Sequence, residues 1–376
     1  MSVNLDNNQR EFLRKVSVSL IRNNQDETGA FVASPSFSQY SYSWLRDGTY
    51  IAYSLLVKGY DEEVESYIRW VVGVIERYAY KVDSLPNLLE SSQDKQNNWF
   101  LSARYTVEGN EDTSDWPNFQ IDGYGSFLWL VARYLGVKGI ALPSDWIKAC
   151  DTVITYLQLV WNQPNSDCWE EFEGHIHPAT LACLVGGLTS IESYVVSEKA
   201  AQCKTLATTI TSFILEHAHP DGYFPKYIGS DLIDASLVWL SEPYNVIRAD
   251  HPFLIKTIEK IEQDITIEGG VKRYSEDTYY GGGQWIILSA FLGLYYVKVG
   301  NLKRANELMD WILQQQEHEG FLPEQVLTRV NDPSMIRPWE ERWGKVATPL
   351  LWSHAMYLIF DDALSSYTQK EDTQYV

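Results

Sequence analysis

Apolar residues recur at the spacing of an α-helix along almost the whole chain, and this periodicity constrains the fold more than any other feature. No long alternating run typical of β-strands occurs, so we predict an all-α protein with at most short hairpins in its loops. Asp61, Pro143 and Gly300 supply helix start and stop signals. The pattern predicts twelve helices, at residues 5–22, 46–58, 61–80, 121–136, 143–161, 178–193, 195–217, 230–240, 251–264, 283–299, 301–316 and 346–361.

The connections between these predicted helices alternate in length. Helices joined by short loops pack as antiparallel neighbours, so we expect the long connections to emerge at one end of the molecule. Six such pairs closed into a ring form an (α/α)6 barrel, with an active site in the long loops at that end. An open solenoid of pairs is the alternative, although the pairs share no repeated motif. The long connections are residues 23–45, 81–120, 162–177, 218–229, 265–282 and 317–345.

Composition narrows the partners that such a chain can have. The formal net charge is −20, which disfavours nucleic acids and anionic membranes and favours a neutral ligand. No apolar run reaches the roughly 18 residues of a membrane helix. No linker rich in Pro, Gly or Ser divides the chain, so we predict one domain over residues 1–376. The N-terminus shows no signal-peptide pattern, so we expect a cytoplasmic location.

Cysteine and histidine spacing does not predict a metal site or a redox motif. The 4 cysteines form no CxxC pair, and the 7 histidines show no HExxH or similar ligand spacing. The glycines at 281–283 do not form a phosphate loop, because no strand precedes them and no Lys-Ser or Lys-Thr follows. We therefore predict no metal and no cofactor, and buried reduced thiols.

The first long connection ends in an aromatic and charged motif, Tyr40-Ser-Tyr-Ser-Trp44-Leu-Arg46-Asp47. An adjacent Arg and Asp at a helix start fits two interpretations. One is a helix cap beside a solvated cation. The other is a clamp that binds sugar hydroxyl groups between aromatic walls.

Two adjacent acids, Glu170 and Glu171, lie between Trp169 and Phe172 in a later long connection, shortly after Asp167. Paired acids are often solvated surface groups. Aromatic neighbours, however, can exclude water from a carboxyl group and raise its pKa, as a general acid requires. Both interpretations are compatible with this segment.

Three further long connections carry candidate site residues, and each of these residues can also be explained without a function. Asp122 is a possible helix cap, and an isolated Glu is usually exposed. The candidates in these connections are Trp116, Gln120, Arg273, Glu324 and Gln325.

Together these motifs resemble glycoside hydrolase family 15, the glucoamylase family. The resemblance runs from about Tyr40 to Tyr357 and implies an (α/α)6 barrel that cleaves α-glucosidic bonds at the non-reducing end with inversion. The matching motifs, in order, are Tyr-x-Trp-x-Arg-Asp, Trp-x-x-x-Gln-x-Asp-Gly, Trp-Glu-Glu, Arg-Tyr-x-Glu-Asp-Thr-Tyr-Tyr, and Glu-Gln with a later Leu-Trp-Ser-His-Ala.

The same resemblance implies roles for individual residues. Glu170 is expected to be the general acid and Glu324 the general base, while Arg46 and Asp47 hold the terminal glucose. An inverting enzyme keeps the two carboxyl groups roughly 6.5–9.5 Å apart so that a water fits between base and sugar. The remaining residues implied to contact the substrate or to support the catalytic pair are Tyr40, Trp44, Trp116, Gln120, Asp167, Trp169, Glu171, Arg273 and Gln325.

We expect neither the N-terminal β-sandwich nor the carbohydrate-binding module of many family members, and therefore short substrates of the isomaltose or maltose type. Segments 105–115 and 331–345 are expected to shape the site of the leaving sugar. The alternatives are a trehalase with the same catalytic pair, a catalytically silent barrel like those in phosphorylase kinase regulatory subunits, and a helical interaction scaffold. Retention of both Glu170 and Glu324 favours an enzyme.

Overall fold

Helices dominate the computed structural model, which describes residues 2–91 and 96–374. Residues 92–95, within the predicted connection 81–120, lie outside the described part. The α-helices of the described residues are α1 (Ser2–Asn23), α2 (Leu45–Leu56), α3 (Asp61–Ser91), α4 (Asp122–Lys138), α5 (Ser144–Val160), α6 (Pro178–Ile191), α7 (Ser197–Glu216), α8 (Pro252–Lys260), α9 (Ile286–Lys298), α10 (Leu302–Gln314), α11 (Ile336–Trp343) and α12 (Leu351–Gln374).

Six elements form a closed inner ring. Going around it, α2 contacts α4, α4 contacts α6, α6 contacts the 3₁₀ helix Ala235–Leu240, and this helix contacts α9, which leads through α12 back to α2. Helices α1, α3, α5, α7, α8 and α10 pack outside, each against an inner element. Inner elements such as α9 are buried on nearly every side, whereas α10 has one polar face. The predicted (α/α)6 barrel is therefore confirmed.

The tightest contact in the ring is between α4 and α6. A Cβ atom added to Gly187 would lie 2.1 Å from the carbonyl oxygen of Gly125, and one added to Gly125 would lie 2.4 Å from that of Cys183. Only glycine permits the two backbones to approach this closely. Pro178 begins α6 at a position where its missing amide hydrogen costs nothing.

Several predicted helices differ from the structure. The segment predicted as a helix over 230–240 is helical only from Ala235 to Leu240, as a 3₁₀ helix, because Asp234 accepts a hydrogen bond from the Ser236 amide and starts the helix there. Helix α3 continues to Ser91, well beyond the predicted end at residue 80, since Val82 and Leu85 are buried in the core.

Helix α11 lies in a segment that we predicted to be a loop, residues 317–345. It is only eight residues long and has no buried residue, so it presents no apolar period that a sequence window would detect. The predicted helix 283–299 also begins later, at Ile286, because the two residues before it form a strand.

Short strands join the long connections to one another. Strands β1 (Ser43–Trp44) and β2 (Arg104–Tyr105) pair antiparallel, which brings the first and second of these connections together. Strands β3 (Thr266–Ile267), β4 (Gly270–Lys272), β5 (Gln284–Trp285) and β6 (Gln325–Val326) form a second antiparallel sheet in that order. None of the helices within the described residues combines the length and apolar character needed to cross a bilayer.

Candidate active site

The long connections enclose a cavity of about 260 Å³. Three of the predicted site residues, Gln120, Asp167 and Gln325, do not line it but lie directly behind residues that do. The ten predicted residues that line the cavity are Tyr40, Trp44, Arg46, Asp47, Trp116, Trp169, Glu170, Glu171, Arg273 and Glu324. The structure thus brings together side chains from five separate connections.

Glu170, the predicted general acid, occupies a tight loop with a left-handed backbone conformation, φ 68°. Its Oε1 atom accepts a hydrogen bond from the Trp44 indole at 2.5 Å and one from the Gln120 amide at 3.2 Å. Non-glycine residues adopt this backbone conformation only when surrounding contacts enforce it, and such residues concentrate at functional sites. The side chain is half-buried, so it keeps access to the cavity.

Asp167 organises the loop that carries Glu170. Its Oδ1 atom accepts hydrogen bonds from the backbone amides of Trp169 and Glu171, both at 3.0 Å. Burial of Asp167 opposes its ionisation, but the nearby Lys226 ammonium outweighs this effect and lowers its pKa. Asp167 is therefore a charged group within the loop rather than part of the cavity wall.

Glu324, the predicted general base, is nearly fully buried, with 3% of its surface exposed. Its Oε1 atom accepts a hydrogen bond from the Tyr40 hydroxyl at 2.7 Å, and that hydroxyl also shares a hydrogen bond with Tyr279 at 2.9 Å. Burial raises the pKa of Glu324 to about 7, although the hydrogen bond from Tyr40 acts in the opposite direction. The neighbouring Gln325 accepts a hydrogen bond from the Gly283 amide and fixes the backbone here.

Arg46 and Asp47 lie in the first turn of α2, at the inner end of the cavity wall. Arg46 is buried and donates to Gln120 at 3.1 Å and to Asp122 at 3.0 Å. Arg46 is therefore not a solvated cation, and Asp122 is an ion-pair partner in the first turn of α4 instead of a helix cap. Burial raises the pKa of Asp47 to about 7, against the attraction of the Arg46 guanidinium.

Glu171 and Arg273 form a second charged group on the cavity wall. The Arg273 guanidinium donates to Glu171 at 3.2 Å and to Asp277 at 2.7 Å, and the Tyr274 hydroxyl donates to the other oxygen of Glu171. Burial raises the pKa of Glu171, which the positive charge of Arg273 partly offsets. Both residues were predicted from the motifs; their mutual contact was not.

Aromatic side chains form much of the remaining wall. Trp44 and Trp116 are held by Arg104, whose guanidinium carbon lies 4.9 Å and 3.7 Å from the centres of their rings. Arg104 directly precedes segment 105–115 and forms an ion pair with Asp112 inside that segment. Our sequence reasoning did not identify Arg104, because only the pairing of β1 with β2 brings it beneath these rings.

Helix α11 supplies the outer part of the wall. Trp339, Arg342 and Trp343 line the cavity, and the Trp343 ring stacks on Trp116 with centres 6.0 Å apart. None of these three was a candidate residue, although the excess of tryptophan in this segment was a usable indication. Other lining residues that the motifs did not identify as candidates are Asp115, Tyr279, Trp285 and Trp352.

Several polar atoms of the cavity wall are buried without a hydrogen-bond partner among the described residues. Buried polar groups in native proteins are nearly always hydrogen-bonded, so unpaired atoms around one cavity indicate where a polar ligand binds. A ligand with many hydroxyl groups would pair with them. These atoms are Arg46 Nε, Asp47 Oδ2, Trp116 Nε1, Trp285 Nε1, Glu324 Oε2 and Trp352 Nε1. The first two form an ion pair with each other at 3.4 Å, and the other four have no such contact.

Comparison with known proteins identifies the family of this chain. Residues 8–315 match the model of Glycosyl hydrolases family 15. The chain belongs to this family. An isomaltose glucohydrolase from Kribbella flavida is 36% identical to this family 15 chain, over 94% of it and 92% of the relative. A solved wild-type glycosidase has 35% identity and a TM-score of 0.91, covering 96% of this chain and 98% of its own.

A variant glycosidase solved in complex with glucose has the same TM-score, 0.91, at 34% identity, over 96% of this chain and 98% of its own. A bacterial glucoamylase complexed with acarbose has a TM-score of 0.77 at 18% identity, covering 94% of this chain and 55% of its own, which supports the shared fold alone. This family 15 protein is therefore a glycoside hydrolase with a carbohydrate substrate, as the sequence predicted.

Proposed function

We propose that this enzyme is an exo-acting, inverting α-glucosidase that releases β-glucose from the non-reducing end of short oligosaccharides, with isomaltose-type substrates preferred. The observation that carries the proposal is that Glu170 and Glu324, from two distant connections, line one cavity with Arg46 and Asp47. The isomaltose glucohydrolase relative supports the choice of substrate.

The catalytic cycle follows from the two carboxyl groups. Glu170, as general acid, donates its proton to the glycosidic oxygen while the bond to the anomeric carbon breaks. Glu324, as general base, takes a proton from a water that attacks the same carbon from the opposite face, which inverts its configuration. Glu324 ends the cycle protonated and Glu170 ionised, and exchange of one proton with solvent restores both.

The surroundings of Glu324 suit a general base. Because burial raises its pKa to about 7, its ionised form is a stronger base than an exposed carboxylate at neutral pH. The Tyr40 hydroxyl occupies Oε1, which leaves the unpartnered Oε2 to bind the attacking water.

Binding of a terminal glucose is supported by Arg46 and Asp47. Both side chains are buried at the cavity wall, where Arg46 Nε and Asp47 Oδ2 lie 3.4 Å apart as an ion pair. Neither atom has a hydrogen-bond partner among the described residues, so they offer one donor and one acceptor to sugar hydroxyl groups. Burial makes such hydrogen bonds selective, since a ligand lacking the matching hydroxyl group would leave a buried polar atom without a hydrogen bond.

Short substrates are supported by the small cavity and by the stacked pair of Trp116 and Trp343 in its wall. We further propose that the chain acts as a single catalytic domain in the cytoplasm. The four cysteines, Cys150, Cys168, Cys183 and Cys203, are buried free thiols, which is usual in a reducing compartment.

Trehalose hydrolysis is a second candidate, supported by a trehalase from Thermoplasma volcanium that is 24% identical over 82% of this chain. This chain spans about half of that relative, 52% of its length. The catalytic pair would be the same, and only the site of the leaving sugar would differ.

A substrate panel tests the linkage and the stereochemistry together. We expect glucose release from isomaltose to be faster than from maltose, trehalose, kojibiose or nigerose, with β-glucose as the first product by NMR. Initial release of α-glucose would exclude inversion. Preference for trehalose would replace the proposed substrate by the second candidate.

Substitution of the two glutamates tests their roles. Glu170→Gln and Glu324→Gln are each expected to lower kcat on isomaltose by at least about 100-fold, the usual contribution of a general acid or base. Glu173→Gln is the matched control, since Glu173 is an exposed acid in the same loop that does not line the cavity. Near-normal turnover in either catalytic variant would remove that residue from the mechanism.

A further inference from the structure

Lys226 is a buried cation behind the loop that carries Glu170. Its side chain is 1% exposed, and its ammonium group donates to Asp167 Oδ2 at 2.8 Å and to Asp234 Oδ2 at 2.5 Å. The Tyr274 ring covers it, with the ring centre 4.1 Å from the ammonium nitrogen. Neither Lys226 nor its two partners line the cavity, so this triad does not touch a substrate there.

The two carboxylates of this triad hold the acid loop at different points. Asp167 Oδ1 binds the backbone amides on either side of Glu170, those of Trp169 and Glu171. Asp234 Oδ2 accepts a hydrogen bond from the Trp169 indole at 2.9 Å, while its Oδ1 accepts one from the Ser236 amide at 2.8 Å. Lys226 thereby links the loop to the 3₁₀ helix Ala235–Leu240 of the inner ring.

The loop needs this anchorage because Glu170 has φ 68°. An extended or right-handed conformation costs a glutamate less, so the loop tends to relax unless other contacts hold it. The two amide hydrogen bonds to Asp167 are contacts of this kind. They depend on Asp167 Oδ1 staying in place as an acceptor.

The positive charge of Lys226 keeps Asp167 in place. Asp167 and Asp234 have side chains that are 6% and 1% exposed, and two buried carboxylates next to each other repel unless a cation lies between them. The positive charge also lowers the pKa of Asp167. Without it, one carboxyl group would take up a proton or move towards water, and the loop would lose part of its support.

We propose that Lys226, acting with Asp234, is a positioning residue that sets the location of the general acid. This inference rests on the proposed role of Glu170. It predicts a selective defect: loss of Lys226 impairs proton donation to the leaving group more than it impairs attack by water at the anomeric carbon.

Two substrates separate these steps. Isomaltose has a sugar alkoxide as leaving group, which needs a proton from the acid, whereas α-glucosyl fluoride releases fluoride without full protonation. For Lys226→Met we expect kcat on isomaltose to fall at least about tenfold and kcat on the fluoride to change less than about threefold. Equal loss on both substrates, or no loss on either, would overturn the inference.

Lys81→Met is the matched control. Lys81 is also buried and paired with a carboxylate, Glu111, but it lies outside the acid loop and the cavity. We expect this variant to lower thermal stability without changing the ratio of the two activities. A change of ratio in this control equal to that in Lys226→Met would assign the effect to general destabilisation and would overturn the inference.

A double variant tests the charge argument through rescue. Asparagine at position 167 retains an oxygen that accepts the two amides and needs no cation, so Lys226→Met with Asp167→Asn should recover most of the isomaltose activity. Failure to recover any would contradict the proposed role of Lys226. If Lys226→Met does not fold, Asp167→Ala takes its place with the same expected selectivity, because it leaves Lys226 and Asp234 as a neutral pair.

Glu170→Gln separates this inference from the proposed function. We expect it to show the same selective defect in stronger form. If Glu170→Gln loses neither activity, the proposed acid is wrong. If it shows the selective defect and Lys226→Met does not, only the positioning role fails.

Discussion

Glu324, in the role of base that we propose for it, combines a functional advantage with a cost in stability. Its burial raises its pKa from the ordinary 4.5 to about 7. The same burial that strengthens it as a base makes its ionised form unfavourable in the folded protein. A carboxylate held in this way destabilises the native state whenever it is charged.

The pH dependence of stability is a direct consequence. Between pH 4.5 and about 7 the unfolded chain releases the Glu324 proton while the folded chain retains it, so stability falls as pH rises through this window. We expect Glu324→Gln to be more stable than the wild type at pH 8, by up to about 3 kcal/mol. The difference should shrink towards pH 4.5. Denaturant unfolding at both pH values measures it.

The exposed Glu173→Gln variant is the reference for this measurement, because it removes an acid from the surface without removing a buried charge. Its free energy of unfolding should track that of the wild type at both pH values. A Glu324→Gln variant less stable than the wild type at pH 8 would contradict the prediction.

Residues of this kind were only partly predictable. The motif around Glu170 includes two aromatic neighbours and a second acid, so the local sequence offered a desolvated carboxyl group as one of two interpretations. Glu324 had no such neighbours, and its position in the last long connection and the family motif identified it. The tyrosine that binds it, Tyr40, lies in the first long connection, and no local pattern relates the two.

At the scale of secondary-structure elements, the cavity depends on short pieces between the barrel helices. Strand β1 carries Trp44 and pairs with β2, which carries Arg104. Helix α11 places Trp343 against Trp116. These short elements set the width of the cavity opening, whereas the barrel helices set where the short elements begin and end.

Trp343→Ala tests the role of α11. Removing the ring opens the wall next to Trp116, so we expect KM for isomaltose to rise about tenfold, corresponding to roughly 1.4 kcal/mol of lost contact. Activity on longer oligosaccharides relative to the disaccharide should rise. Steady-state kinetics on a series of increasing chain length measures both effects.

Trp343→Phe keeps a ring at this position and should resemble the wild type in its chain-length preference. If Trp343→Ala leaves both KM and the chain-length preference unchanged, α11 does not bound the site of the leaving sugar.

Element boundaries were predicted well where burial is continuous and poorly where it is not. Helices α4 and α6 of the inner ring carry apolar residues over several turns, and their boundaries were predicted to within two residues. The 3₁₀ helix Ala235–Leu240 and helix α11 span six and eight residues, which is too short for a reliable helical period. Hydrogen bonds and aromatic contacts from other connections hold them.

At the scale of the whole molecule, closure of the ring depends on how closely the inner helices approach. The contact of α4 with α6 requires that Gly125 has no side chain, since an added Cβ would meet backbone atoms that cannot move independently. A steric overlap at Gly125 would therefore displace both α4 and α6.

Two glycine substitutions test whether the contact of α4 with α6 requires glycine at position 125. Gly125→Ala is expected to lower the free energy of unfolding by at least about 2 kcal/mol, because the methyl group forces α4 and α6 apart. Gly73→Ala is the control: Gly73 is exposed within α3, and an added Cβ would meet nothing within 4 Å. We expect it to stabilise the protein by about 0.5–1 kcal/mol.

Thermal and denaturant unfolding of both variants checks these opposite signs. Equal effects would mean that the close contact of α4 with α6 does not require glycine at position 125. Catalytic activity of Gly73→Ala should remain normal, since α3 lies in the outer ring and contributes nothing to the cavity.

The sequence by itself determined the fold class and the end of the barrel at which the site forms. Helical periodicity is a local property, and alternating connection lengths follow from antiparallel packing, so both can be read without coordinates. The family motifs then indicated the two residues of the proposed catalytic pair.

Only the tertiary structure decided how those residues are held. The contact of Tyr40 with Glu324, the position of Arg104 beneath Trp116 and the link from Lys226 to the acid loop all join residues from different connections. Burial and electrostatic fields depend on distances in space, and these distances are set by closure of the ring rather than by any neighbouring sequence.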